Sequence, residues 1–151
     1  MPTVARSRVI GASTDAVWSL VSDPHNLPRW WPETTRIEDV EGGAGSRRSR
    51  FTQVMTTSKG RTVRADFRCT ASTSGERIVW EQQLEGTPFA KHLKRSQVEI
   101  ELRGEGDGRT AVAISSTQTM RGLSRLGGAM LRRAQGTILD EALDGLEEAV
   151  G

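Results

Sequence analysis

Groups able to move protons or attack a substrate are sparse in this chain. It holds two histidines, His25 and His92, one cysteine, Cys69, and no tyrosine. Neither histidine stands at a metal-ligand spacing and the cysteine is remote from both, so no metal and no cofactor is expected. No serine lies in a nucleophile-elbow pattern. The glycines at 42–45 precede no helix and make a poor phosphate cradle. Cys69 falls on an apolar strand face, where a thiol is ordinarily inert packing. His92 shares parity with Ser96 and reads either as an acid or base at a cavity rim or as a solvated imidazole. What remains is aromatic and amide chemistry: Trp30 and Trp31, Trp80, and a few glutamines and serines on otherwise hydrophobic strand faces. Such groups bind and orient a ligand.

The elements that must position them follow from hydrophobic rhythm. Residues 3–11 alternate and read as a strand. Ser13, Thr14 and Asp15 offer an N-cap and a first-turn acid for a short helix carrying Val17, Leu20 and Val21. Asp23-Pro24 is a second helix start, cut short by Pro28 and Pro32. From Thr34 the period becomes two. Strands are expected over 34–41, 46–57, 61–73, 76–85, 91–103 and 109–120, with turns at Ser58-Lys59-Gly60, at Ser74-Gly75 and around Gly104–Gly108. Short turns with no helix between them make an antiparallel meander. Leu123, Leu126, Met130, Ala134, Ile138, Ala142 and Leu146 then mark one long helix from about 123 to 149. The fold class expected is α+β: a curved antiparallel sheet of about seven strands around a long C-terminal helix, with two short helices after the first strand, in a single domain spanning 1–151.

Strand parity assigns faces. Val63, Ala65, Phe67 and Cys69 share one face, as do Ile78, Trp80 and Gln82. Ser96, Val98 and Ile100 form a third set, and Val112, Ile114, Ser116, Gln118 and Met120 a fourth. These faces must meet the long helix, because their burial drives folding. Gln82, Ser96, Ser116 and Gln118 are polar members of those inward faces, and a buried amide without a partner costs about 1–3 kcal/mol. Together they point to a semi-polar cavity. Its expected ligand-binding residues are Trp31, Phe67, Trp80, Gln82, Ser96, Val98, Ser116, Gln118, Met130 and Ala134. One of Trp30 and Trp31 is expected to anchor the core and the other to stand partly exposed at the mouth. Trp80 either stacks on a ligand or fills the core. Phe51 and Met55 join the lining only if their strand has the right phase, and Val54 competes for burial. Gly127-Gly128, inside the helical pattern, are read as a weak point that lets the lid open.

The order of elements resembles the START-like, helix-grip superfamily (SRPBCC), which includes the major birch pollen allergen, lipid-transfer domains, coenzyme-Q-binding proteins and bacterial polyketide cyclases/dehydrases. The resemblance runs over essentially the whole chain. It is carried by ASTDAVWSLVSD from Ala12 to Asp23, by LPRWWP from Leu27 to Pro32 and by LDEALDGLE from Leu139 to Glu147. It implies a deep cavity between sheet and helix that holds a hydrophobic or aromatic small molecule. It implies no fixed catalytic set, since the superfamily mixes carriers, sensors and enzymes.

Composition narrows the function further. With 151 residues, 26 % charged and 35 % hydrophobic, the chain has the composition of a globular domain. Its 21 basic against 19 acidic residues leave a net charge of +2, too small to argue for nucleic acid, and none is expected as a partner. No apolar run approaches the roughly 20 residues that span a bilayer, and the first residues lack a signal-peptide core. The single cysteine fits a reducing compartment, so the cytoplasm is expected. Lys91, Lys94, Arg95, Arg121, Arg125, Arg132 and Arg133 form a local basic excess, read as a solvated face, as attraction for an anionic ligand or as a peripheral membrane contact. A monomer or homodimer is expected. The main expectation is binding of a hydrophobic small molecule, lipid or polyketide-like. The alternatives are a polyketide cyclase or dehydratase and a protein or membrane interaction module.

Overall fold

The computed structural model describes residues 3–122 and 128–151. Leu123, Arg125, Leu126 and Gly127 lie outside them. Seven strands form one antiparallel sheet: β1 (Thr3–Ile10), β2 (Thr34–Glu41), β3 (Arg50–Thr56), β4 (Thr62–Thr73), β5 (Arg77–Gln82), β6 (Leu93–Gly106) and β7 (Arg109–Met120). Their spatial order is β1-β7-β6-β5-β4-β3-β2. β2 to β7 are therefore a plain meander, and β1 and β2 end up on opposite edges. The chain crosses between those edges through α1 (Thr14–Val21), a short 3-10 turn (Pro24–Asn26) and α2 (Leu27–Trp30). Capping fixes this crossing. The Ser13 hydroxyl accepts from the Ala16 amide at 3.2 Å, and the Asp23 carboxylate accepts from the His25 amide at 3.0 Å.

The C-terminal helix α3 (Gly128–Val150) lies on the concave face of the sheet. At 1.5 Å per residue it is about 35 Å long, enough to cross the sheet. Leu139, Ala142, Leu143 and Leu146 are its buried face, packed with Ile10, Val17, Val21, Ile78, Ile100, Val112 and Ile114. The expected stripe is corrected at its N-terminal end. Ala142 and Leu146 are buried and Ile138 is half-buried, but Ala134 is exposed and Met130 is 80 % exposed. A strict four-residue step overshoots a 3.6-residue turn by about 40°, so the row winds off the buried face within four steps. The description of α3 resumes at Gly128, so the Gly127 half of the Gly127-Gly128 pair lies outside the described residues.

The meander also settles the phase of β3. Phe51 faces inward, whereas Val54 is fully buried on the opposite face. Register places Val54 between Arg36 and Arg64. Glu38 accepts from Arg36 at 2.6 Å and from Arg64, so the bridged stems cover Val54. The last hairpin is tighter than its glycines suggest. β6 continues to Gly106, and the turn is Asp107-Gly108, both at positive φ.

Candidate ligand cavity

Toward the end of the sheet where β6 begins and β7 ends, the inward residues do not fill the space under α3. A cavity of about 180 Å³ remains. Its floor is buried: Phe51, Trp80, Gln82, Leu93, Ser96 and Ser116. Its rim is half-exposed: Trp31, Met55, Phe67, Phe89, Val98, Gln118, Gln135 and Ile138. Aromatic rings shape one wall. Phe51 stacks on Phe67 with centroids 5.4 Å apart and meets Trp80 edge-on, also at 5.4 Å. Strand register explains this grouping, since Phe51 is paired with Phe67, Phe67 with Gln82, and Cys69 with Trp80.

The polar members of the lining differ in how they are satisfied. Ser116 donates to Gln135 Oε1 of α3 at 2.9 Å, which joins the sheet to the helix across the cavity. Gln118 donates to Ser96 at 3.5 Å, a long bond. Gln53 donates to Thr34 Oγ1 at 2.8 Å and is held at the β2 edge. Gln82 is only 8 % exposed, and its Nε2 has no partner among the described residues. It is thus a buried donor on the wall of a largely apolar space.

Of the expected site residues, Trp31, Phe67, Trp80, Gln82, Ser96, Val98, Ser116 and Gln118 border this one cavity. Met130 and Ala134 do not, for the helical reason given above; Gln135 and Ile138 take their place. Parity along β3 was the available signal for Gln53, since it stands two residues from Phe51 and from Met55. Phe89 had none, because its 3-10 turn (Pro88–Lys91) interrupts the strand pattern. Trp30 is the core anchor, 2 % exposed, and meets the half-exposed Trp31 edge-on at 5.4 Å.

His92 is exposed and lies outside the lining. The 3-10 turn and a register shift between Leu93 and Arg95 break its parity with Ser96, and Leu93 points inward instead. Cys69 is buried and donates to the Ala71 carbonyl at 3.4 Å; burial pushes its thiol above the ordinary value. No titratable side chain lines the cavity among the described residues. Nor do these residues contain a cluster of three or more His, Cys, Asp or Glu side chains fit to hold a metal ion.

A seven-stranded antiparallel sheet gripping a long C-terminal helix over an internal cavity is the helix-grip, START-like fold. The chain belongs to the polyketide cyclase/dehydrase and lipid transport family, whose model matches residues 1–151. Solved structures agree on the fold. A START superfamily protein from Mycobacterium smegmatis superposes with a TM-score of 0.79 at 17% identity, covering 98% of this chain and 96% of that one. A protein from Thermus thermophilus gives 0.77 at 22% identity, covering 99% and 97%. The Zhui aromatase/cyclase from a Streptomyces species gives 0.72 at 17% identity, covering 99% and 90%. No curated protein matches the sequence.

Proposed function

We propose that this protein binds a compact hydrophobic molecule carrying a hydrogen-bond acceptor, held in the cavity between the sheet and α3. The observation that carries this reading is Gln82 Nε2, without a partner among the described residues and buried beside Phe67 and Trp80. A ligand carbonyl placed there would satisfy the donor while its apolar body packs on the rings. Size narrows the class. About 180 Å³ is close to the 150 Å³ cavity that admits benzene and below the 300 Å³ at which drug-sized pockets begin. One ring or a short acyl chain fits as the cavity stands; a polycyclic product requires the half-exposed rim, Trp31 and Ile138 among it, to move apart.

Binding is favoured over acid–base catalysis because the lining offers serine hydroxyls and glutamine amides and no titratable group among the described residues. Cys69 as a free thiol fits a reducing compartment, and the proposal places the binding in the cytoplasm. The test compares acetophenone with ethylbenzene, which differ mainly in the acceptor, by calorimetry or tryptophan fluorescence. Wild type should prefer acetophenone, and Gln82→Leu should abolish the preference. The same variant should be as stable as wild type or more so, by about 1 kcal/mol, because it removes an unsatisfied donor. Equal affinity of wild type for the two probes, or binding of neither, overturns this reading.

A further inference from the structure

The charge on α3 runs against its own dipole. From Gly128 to Ile138 the charged residues are Arg132 and Arg133; from Leu139 to Val150 they are Asp140, Glu141, Asp144, Glu147 and Glu148. A helix favours bases near its C-terminus, so Glu147 and Glu148 in the last turn are placed unfavourably. Three of the five acids, Asp140, Asp144 and Glu147, are compensated inside the molecule. Arg6 and Arg8 project from the edge strand β1 and pair with Asp140 at 3.4 Å, with Asp144 at 2.6 Å and with Glu147 at 3.1 Å. Among the described residues no acid pairs with Arg132 or Arg133.

The same end of the molecule gathers further cations. Lys59 and Arg61 lie in the β3–β4 turn, Lys91 precedes β6, Lys94 and Arg95 begin it, and Arg121 follows β7. All are exposed and none forms an ion pair among the described residues. Arg121 is held in place, its side chain donating to the Leu93 carbonyl at 3.3 Å. The acid in these connections is Glu85, and Glu33 lies just before β2 at the same end. This is also the end at which the cavity has its half-exposed rim. Met130, three residues before Arg133 and so on the same helical face, stands there 80 % exposed.

We propose that this cavity end docks on an anionic lipid surface, with the cations at the headgroups and Met130 entering the interface. Basic groups spread over three connections and a helix, around one projecting apolar side chain, suit a broad charged plane better than a single phosphate. The placement also gives an apolar ligand a path between bilayer and cavity that avoids water. That last point rests on the ligand-binding reading; the docking itself does not.

The test is co-sedimentation with vesicles of phosphatidylcholine alone and of phosphatidylcholine with phosphatidylglycerol, at low and at high salt. Binding is expected to the anionic vesicles alone, and to weaken with salt. Removing one cation should cost roughly fivefold in partitioning, so Arg132→Gln with Arg133→Gln should cost about 25-fold. Met130→Ser should weaken binding even where salt has screened the charges. Arg103→Gln with Arg109→Gln, at the far end of the sheet, should change nothing. Acetophenone binding measured on the same variants separates a failure of docking from a failure of the cavity. No association with anionic vesicles at low salt, or association undiminished by the Arg132 and Arg133 changes, overturns the proposal. Retention on an immobilised acidic carrier protein with no vesicle binding overturns it in favour of a protein partner.

Discussion

Cys69 and Gln82 are both inward, both buried and both polar, yet their surroundings give them different consequences. Cys69 sits in packed core, and burial raises its thiol above the ordinary value, so at neutral pH it is protonated as well as inaccessible. Folded protein should therefore react with a thiol-specific disulfide reagent far more slowly than protein unfolded in guanidinium. Equal rates in the two states would contradict the burial. Gln82 borders open space, so its Nε2 without a partner among the described residues is what the proposed binding rests on. Strand parity was enough to turn both residues inward. It carried no information on which of them would meet neighbouring atoms.

At the scale of elements, two glycines of α3 show how closely the helix is gripped. A methyl group on Gly145 would overlap the backbone carbonyl of Trp30, where α2 ends against α3. One on Gly136 would meet only the guanidinium tip of Arg6, a group able to swing aside. Gly145→Ala should thus destabilise the fold by about 1–3 kcal/mol, the usual cost of overpacking. Gly136→Ala should be neutral or gain up to about 1 kcal/mol from helix propensity. Urea unfolding of the two variants checks the contrast, and a reversed order would show that the α2–α3 approach is looser than described. The existence and order of the seven strands, α1, α2 and α3 were legible from alternation, capping residues and turn glycines; the 3-10 turn at Pro88–Lys91 and the late start of β3 at Arg50 were not. The rotation of α3 was not, because a run spaced by fours winds around a helix and only packing decides which part of it is buried.

For the whole molecule, ion pairs on the sheet surface contribute to the response to acid. Arg64, with Arg36, holds the Glu38 carboxyl below the ordinary range, and Arg77 does the same for Glu99; Glu101 is pushed up, chiefly by Glu99 beside it. A lowered carboxyl binds fewer protons folded than unfolded. Its stabilisation is complete above the unfolded value, about 4.3, and is lost as pH falls through the folded one. Glu101 has the opposite sign: its penalty is present at neutral pH and is relieved in acid. Glu38→Gln should therefore lower the melting temperature at neutral pH, and the gap to wild type should close as pH falls below the ordinary carboxylate range. A gap that stays constant with pH would exclude Glu38 as a source of acid sensitivity. None of these pairings could be read from the net charge of +2, which conceals a basic end and an acidic half-helix.

By itself the sequence determined the local choices: period-two strands, the caps at Ser13 and Asp23, the helical character of α3 and the inward parity of Trp80, Gln82, Ser96 and Ser116. Each depends on neighbours within a few residues, where steric and hydrogen-bonding preferences act directly. Tertiary structure alone decided the rest. It rotated Gln135 and Ile138 into the cavity in place of Met130 and Ala134, turned His92 out, paired Arg6 and Arg8 with acids more than a hundred residues away, and left an unfilled volume beside Gln82. Those outcomes arise where surfaces from distant segments meet, and their shape, register and charge are set jointly rather than by any one segment.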